Sequence, residues 1–453
     1  MREGSLEAPQ RHPLDWRSQD FCDHDSLFAE LERVFDICHG CRRCFNLCNS
    51  FPTLFDLVDD SPTMEVDGVS KEDYWNVVDN CYLCDLCFMT KCPYVPPHEW
   101  AVDFPHLMLR AKIAGNKAGR PKLRDKLLSS TNLLGNVSSV PVMFHAANAA
   151  IDFKPARALL EKTLGVHREA KLPKYTSISK HRNLAKPRTV DSATRSLNSE
   201  TAPGSATSRN TARKVALFST CYGRYNRPEM NADIVAVFEH NRIPVQIVNG
   251  DICCGMPKLE IGDMQAVERL KNKNIPILAD LARSGVQIIT PIPSCNLMFR
   301  QELALLFPED EDVLAVQSAI RDPFEYLVLL DKDGLFNSEF KNTLGSVLYH
   351  VACHQRVQNV GPKTREILEM IPDTDLTVVE RCSGHDGTYA VKQEFYEFAK
   401  KIVRPAASQV KRLEPDYVTS DCVLAGDHIA NHSGIDLLEA KHPISLLRIA
   451  YGI

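Results

Sequence analysis

The chain has no run of about eighteen apolar residues, the length a helix needs to cross a bilayer, so no transmembrane helix is expected. It also has no G-x-G-x-x-G after a strand pattern and no G-x4-G-K-[ST]. A flavin used by any redox reaction of this protein is therefore expected on another polypeptide. Residues Met1 to Asp20 carry charges throughout and contain no apolar core, which argues against a secretory signal. Without export, disulfides are disfavoured and reduced thiolates are available as ligands. The formal net charge of −5 gives no electrostatic reason to expect nucleic acid. What remains is an ordinary globular composition, 44% hydrophobic and 25% charged. At 453 residues the chain is too long for a single core, so two or three domains are expected.

Cysteine is the residue in excess, with sixteen in the chain. Eight of them form two runs, Cys38-x2-Cys41-x2-Cys44-x3-Cys48 and Cys81-x2-Cys84-x2-Cys87-x4-Cys92-Pro93. Cysteines three apart in a tight turn deliver three thiolates to three irons of one cubane, and the fourth cysteine of each run reaches the other cluster. This assigns Cys38, Cys41, Cys44 and Cys92 to one 4Fe–4S cluster and Cys81, Cys84, Cys87 and Cys48 to a second. Zinc, the competing reading, takes C-x2-C pairs rather than triplets. Cys22 has no partner cysteine nearby in the sequence and reads as an ordinary thiol.

Composition changes between Thr176 and Arg213, where thirteen residues are Ser or Thr and none is aromatic. Such a stretch buries too little apolar surface to offset its ordering entropy and reads as a linker. The part before it reads as helical, with apolar residues at helical spacing over Phe104 to Ala114. Leu127 to Ile151 contains no Asp, Glu, Lys or Arg. Its Asn, Ser, Pro and His residues favour a buried helical connection over a membrane-surface contact. The basic run from Arg110 to Lys126 reads as a solvated helix face, with a docking surface as the rival reading.

After the linker, strand and helix patterns alternate: strands at 214–219, 245–248 and 286–290, then again at 346–350, 376–379 and 417–419. The cysteines recur with them. Cys221, Cys253, Cys254 and Cys295 in the first half are matched by Cys353, Cys382, Ser383 and Cys422 in the second. Two copies of one unit are implied. Each cysteine sits where a strand ends, the carboxyl edge at which parallel sheets place ligands.

The paired ferredoxin motifs followed by Cys253-Cys254-Gly255 resemble the CCG-domain family of heterodisulfide reductase, glycolate oxidase and anaerobic glycerol-3-phosphate dehydrogenase iron–sulfur subunits. The last of these is most similar, through Tyr349-His-Val-Ala-Cys353-His354, Glu380-Arg-Cys382-Ser383-Gly384-His385-Asp386-Gly387 and Ser420-Asp-Cys422. The resemblance implies an α+β multidomain fold: a helical two-cluster ferredoxin-like domain over 1–175, a linker over 176–213, and α/β CCG repeats with short parallel sheets over 214–335 and 336–453. A full repeat in the family carries five cysteines. Here the first repeat keeps four metal ligands, Cys221, Cys253, Cys254 and Cys295, enough for one further cluster. The second keeps Cys353, Cys382 and Cys422, with Ser383 replacing a cysteine and His354 and His385 nearby, so its occupancy is left open. No catalytic residue is assigned.

The implied function is an iron–sulfur electron-transfer subunit of an oxidoreductase, passing electrons between a flavoprotein dehydrogenase and a quinone or other acceptor. The alternative is a reductase acting at the CCG site on a thiol, a disulfide or a rubrerythrin-like peroxide-handling partner. The expected location is cytoplasmic, with at most a peripheral contact on the inner face of the membrane.

Overall fold

The computed structural model describes residues 7–177, 179, 213–250, 252–436 and 438–453. The linker expected between Thr176 and Arg213 lies, apart from its ends, outside the described residues. No described helix is long and apolar enough to cross a membrane.

The N-terminal part is built on helices α1 (His24–Cys41), α2 (Ser50–Asp59), α3 (Tyr74–Asp79) and α4 (Phe104–Lys117). Helix α1 starts where the Asp23 carboxylate accepts from Ser26 N, satisfying a free end-donor. It buries Leu27, Phe28, Leu31, Val34 and Phe35, a single stripe at helical spacing. That stripe meets Phe51, Leu54, Phe55 and Val58 of α2, together with Tyr74 and Phe104. The core is dense in aromatic contacts, among them Phe51–Phe104 at 4.7 Å and Phe35–Tyr74 at 5.1 Å between centroids. It clamps the cysteine-bearing segments that follow α1 and α3. Four more helices complete this part: α5 (Leu123–Leu128), α6 (Thr131–Ser138), α7 (Met143–Asp152) and α8 (Lys154–Leu164).

Two parallel sheets follow. The first has strands β1 (Val215–Leu217), β2 (Val245–Ile247), β3 (Gln287–Ile289) and β4 (Ile320–Arg321) in the order β2-β1-β3-β4. The second has β5 (Gly345–His350), β6 (Thr374–Val379) and β7 (Tyr417–Ser420) in the order β6-β5-β7. In each unit the first strand is central, the second flanks one side and the third the other, so the repeat read from the cysteines is also a repeat of topology. Central β1 is apolar at every position because both its faces are covered, and Val215, Ala216 and Leu217 are all fully buried. Strand β4 is an addition to the first unit that the sequence pattern does not announce.

The units share a core. The last helix, Pro443–Tyr451, packs on the helix Pro228–His240 of the first unit, where Arg448 and Ser445 both bond Asp233. The core of the first unit also takes in Leu86, Leu109 and Ile113 from the N-terminal part and Ile367 and Leu368 from the second unit.

Two expectations for the helical connection need correction. Leu127 to Ile151 is helical but sparsely buried: Ser129, Gly135 and Ser139 are buried, whereas α7 has no buried residue at all. The basic run is only partly a solvated face. Arg124 is buried against Glu394 at 2.6 Å, Arg110 donates to the Phe21 carbonyl at 2.7 Å, and Lys112 donates to the Cys81 carbonyl at 2.8 Å. These cations join segments distant in sequence, which helical periodicity cannot reveal.

Gly262 has φ +72°, and a Cβ there would stand 2.3 Å from the Lys112 carbonyl oxygen. Gly285 has φ +78° but open space around it. Gly262→Ala should therefore cost roughly 1–3 kcal/mol beyond the backbone penalty it shares with Gly285→Ala. Anaerobic thermal denaturation of the two variants should show a clearly lower midpoint for Gly262→Ala; equal midpoints would remove the close approach of α4 to the first unit.

Candidate metal centre

Cys38 and Cys41 end α1, which closes on the left-handed residue Arg42 (φ 50°). Cys44 and Cys48 follow in the loop, and Cys92 follows the π-turn Cys87–Lys91. The electrostatic neighbours of Cys38 are Cys92, Cys44 and Cys41. Cys38, Cys41, Cys44 and Cys92 together line one small cavity of ≈ 20 Å³. Cys87 has Cys84, Cys81 and Cys48 as neighbours, along with Cys44. The fourth cysteine of each run is thus brought to the other run's triplet.

The seven cysteines of the repeats lie at the carboxyl ends of six parallel strands. Cys221, Cys253–Cys254 and Cys295 follow β1, β2 and β3; Cys353, Cys382 and Cys422 follow β5, β6 and β7. In the first unit the thiols are electrostatic neighbours in the order Cys221, Cys253, Cys254, Cys295. The adjacent pair is set by its backbone. Asn274 donates to the Cys253 carbonyl at 3.0 Å, Cys253 N donates to Asn132 Oδ1 at 3.2 Å, and Gly255 supplies the φ of +106° that turns the chain into the next helix. In the second unit Gly384 N donates to Cys382 Sγ at 3.3 Å, and the Ser383 hydroxyl is buried and accepts from His385 N at 3.4 Å.

A cavity of ≈ 310 Å³ lies between the units, and Cys221, Cys254, Cys295, Cys353, Cys382 and Cys422 all line it. The N-terminal thiols adjoin the second unit rather than the first. Cys84 has Cys353, Cys48 and Cys382 as its electrostatic neighbours, and Cys382 is also a neighbour of Cys48. An apolar contact seals this junction, with Tyr82 against Tyr389 at 4.5 Å and the Tyr389 hydroxyl donating to Asn80 at 2.7 Å.

The donor set fits iron–sulfur clusters. Burial pushes Cys38, Cys84 and Cys87 well above the ordinary thiol range, and the neighbouring thiols add to it. Thiols packed this way disfavour one another's ionisation until a cation is present. Among the described residues, no three His, Cys, Asp or Glu side chains are arranged to hold one ion. A cubane takes one thiolate per iron and does not need such convergence.

Histidines complete the second unit. His350 donates from Nε2 to the Arg381 carbonyl at 2.9 Å and pairs through Nδ1 with Ser420 at 3.0 Å, so its role is structural. His354 and His385, both considered from the sequence, each bury an Nε2 with no hydrogen-bond partner among the described residues. His428 does the same and was missed; its ring lies 5.9 Å from that of His385 and 4.4 Å from that of His432. The available signal was His-x3-His on one helix face in the helix Val423–His432.

Two carboxyl groups also line the cavity, Glu260 from the first unit and Asp386 from the second. They adjoin: a Cβ on Gly387 would lie 2.9 Å from Glu260 Oε2. Burial and then Asp386 push Glu260 upward. Burial pushes Asp386 up to about 7 against the pull of Lys112 and Lys392.

Residues 215–300 and 347–424 match the family model of the cysteine-rich CCG domain, the two stretches that hold most of the parallel sheets and their cysteines. Among curated relatives, it is 28% identical over 341 residues to a component of the anaerobic glycerol-3-phosphate dehydrogenase of Escherichia coli (strain K12), covering 72% of this chain and 77% of the relative. It is 25% identical over 250 residues to a component of the fumarate reductase (CoM/CoB) of Methanothermobacter marburgensis, covering 54% and 47%. It is 26% identical over 224 residues to an uncharacterised iron–sulfur protein of Methanococcus maripaludis, covering 49% and 42%. These similarities support iron–sulfur clusters in the chain and an electron-transfer role beside a redox enzyme partner.

The folded Asp386 carboxyl titrates above its unfolded value of about 3.9. The folded state therefore binds more protons than the unfolded state between about pH 4 and 7, and stability falls as pH rises through that window. Asp386→Asn should flatten this slope and be more stable than the parent above pH 7, read as denaturant midpoint against pH under anaerobic conditions. An unchanged slope would place the group in solvent.

Proposed function

We propose that this chain is the iron–sulfur electron-transfer component of an oxidoreductase complex. The reading is carried by one observation: Cys48 and Cys84 adjoin Cys353 and Cys382, so the N-terminal cysteine groups and the cavity between the repeats form one continuous system. Cys38, Cys41, Cys44 and Cys92 would hold one 4Fe–4S cluster, and Cys81, Cys84, Cys87 and Cys48 a second. Cys221, Cys253, Cys254 and Cys295 would hold a third. When bound, such clusters supply one-electron carriers whose potentials respond to hydrogen bonds and burial.

The chain's own groups set the conditions. The Tyr82–Tyr389 contact keeps water from the junction, and Lys112 fixes the Cys81 backbone. Glu260 and Asp386 can hold protons at the cavity wall. We take the partner to be a flavoprotein dehydrogenase, with a quinone or another acceptor beyond, and place the chain in the cytoplasm as a peripheral component on the inner face of the membrane. The domain limits are those proposed from the sequence, with the two repeats docked through a shared core.

A second reading is favoured by the second repeat itself. Three thiols and the Ser383 hydroxyl surround that site, and a hydroxyl is a poor ligand near neutral pH. An open position beside a cavity is the arrangement of a reactive metal site, suited to a thiol, a disulfide or a rubrerythrin-like partner.

Iron and acid-labile sulfide, with EPR, test both readings on anaerobically purified Cys254→Ser and Cys382→Ser. Cys254→Ser should lose one cluster's iron, about four atoms. Cys382→Ser should lose less iron, and under the second reading should still lose reactivity toward thiols or disulfides. Equal iron loss with identical spectra would make the repeats equivalent. Zinc without sulfide in the parent protein would overturn the whole assignment. The parent should also release no FAD or FMN on denaturation; stoichiometric flavin absorbance would make the flavoprotein partner unnecessary.

A further inference from the structure

Eight of the seventeen large hydrophobic side chains exposed among the described residues fall between Leu123 and Leu159. Val142 is 77% exposed, Leu123 67%, Leu159 63%, Phe153 60% and Leu133 59%. Monomeric soluble proteins rarely gather apolar side chains in this way without a partner for them. Helix α7 is the extreme case, with no buried residue and no charged residue before Asp152. At the turn between α6 and α7, Val142 has φ +78°, a conformation that is strained for a β-branched residue.

Lysines flank this stretch of helices in the sequence. Lys117, Lys126, Lys154 and Lys162 are exposed and form no ion pair among the described residues. The nearby acids are already engaged: Asp125 by Lys392 at 3.0 Å, Asp152 by Lys174 at 2.9 Å and Glu161 by Arg168 at 2.5 Å. Unpaired lysines therefore flank, in sequence, the uncharged stretch Leu127–Ile151. The composition does not suit a protein partner. Protein interfaces are enriched in Tyr, Trp and Arg and depleted in Lys. Between residues 123 and 159 there is no Trp or Tyr, and both arginines, Arg124 and Arg157, are buried. Aliphatic side chains flanked by lysines are the composition of a helix lying in a lipid interface. The same helices wall the redox cavity on their inner side, through Thr131, Leu134 and Ile151.

We propose that the outer face of α5–α8 is a monotopic docking surface for a bilayer carrying anionic phospholipid headgroups. The apolar band enters the headgroup boundary, and Lys117, Lys126, Lys154 and Lys162 meet the phosphates. This gives a surface and a ligand chemistry to the peripheral placement proposed above. It does not depend on the electron-transfer reading, since it invokes no cluster.

The test is flotation of the full-length, anaerobically purified protein with phosphatidylcholine vesicles, with and without phosphatidylglycerol. Binding should require the anionic lipid and weaken with added salt. The double variant Val137→Glu/Val142→Glu, altered only at exposed positions, should bind at least tenfold more weakly. Lys126→Ala/Lys154→Ala should lose about tenfold and much of the salt dependence. Iron content and EPR of each variant, read separately, should match the parent, so a failure of the cluster assignment would show there and not in flotation. Three outcomes would overturn the proposal: no flotation with either vesicle, flotation that the glutamates do not reduce, or a parent that sediments as a dimer without lipid while the glutamate variant is monomeric. The last would identify the face as a contact between copies of this chain.

Discussion

A thiolate buried beside other thiolates is tolerable only if positive charge is supplied among them, and this chain collects every cysteine except Cys22 into such neighbourhoods. Other features of the fold serve that arrangement. Helix α1 brings Cys38 and Cys41 to its carboxyl end, and six parallel strands bring seven cysteines to their carboxyl ends. Parallel pairing matters because it aligns the ends: β5 pairs with both β6 and β7 in one direction, so three loops open on the same side. An antiparallel pair would have sent one of the loops to the opposite edge.

What was legible in the sequence was whatever depends on local spacing. The C-x2-C-x2-C triplets, the strand ends and the doubled Cys221/Cys353 pattern are readable because turn geometry and a strand period of two act over a few residues. The exchange of Cys48 and Cys92 between triplets is proposed from the same turn geometry, and in the fold each neighbours the opposite triplet. Contacts across long separations were not. Lys112 lies in a run that looked solvated, yet it donates to the backbone of Cys81 and faces Asp386 in the second repeat. Strand β4 has only two residues, too few to show a period. His428 belongs to the site through its helix, six residues beyond Cys422, outside any cysteine motif. Helix α7 misled for a different reason: absence of charge is the usual sign of burial, and only the packing shows that no described part of the chain buries it.

The two repeats share a strand order but differ in what surrounds their thiols. The first offers four neighbouring sulfurs, with the Cys253 backbone held by amides from Asn132 and Asn274. The second offers three, with Ser383 in the vacated place and three imidazole nitrogens buried nearby without hydrogen-bond partners among the described residues. Burying a polar nitrogen without a hydrogen bond costs roughly 1–3 kcal/mol, so three in one neighbourhood mark a region not optimised for stability alone. The second repeat is also the one that Cys48 and Cys84 approach. The approach of the N-terminal thiols and the missing fourth sulfur coincide at the same place, whereas the four cysteines of the first repeat lie across the cavity.

That cavity ties the two ends of the molecule together. Its walls come from both repeats and from α6 and α7, so the helices that leave an apolar face outward also form one wall of the thiol cavity. That wall is a single helix layer, about 10 Å thick. Gly135 makes the layer fit: a Cβ there would meet the Tyr225 ring at 2.2 Å, so α6 lies flush on the first repeat only because that position has no side chain. A larger residue would lift the layer and expose the cavity to water, weakening every electrostatic interaction inside it. The seating of one helix on one tyrosine thus sets how closely this wall approaches the first repeat and how the outer apolar face is presented.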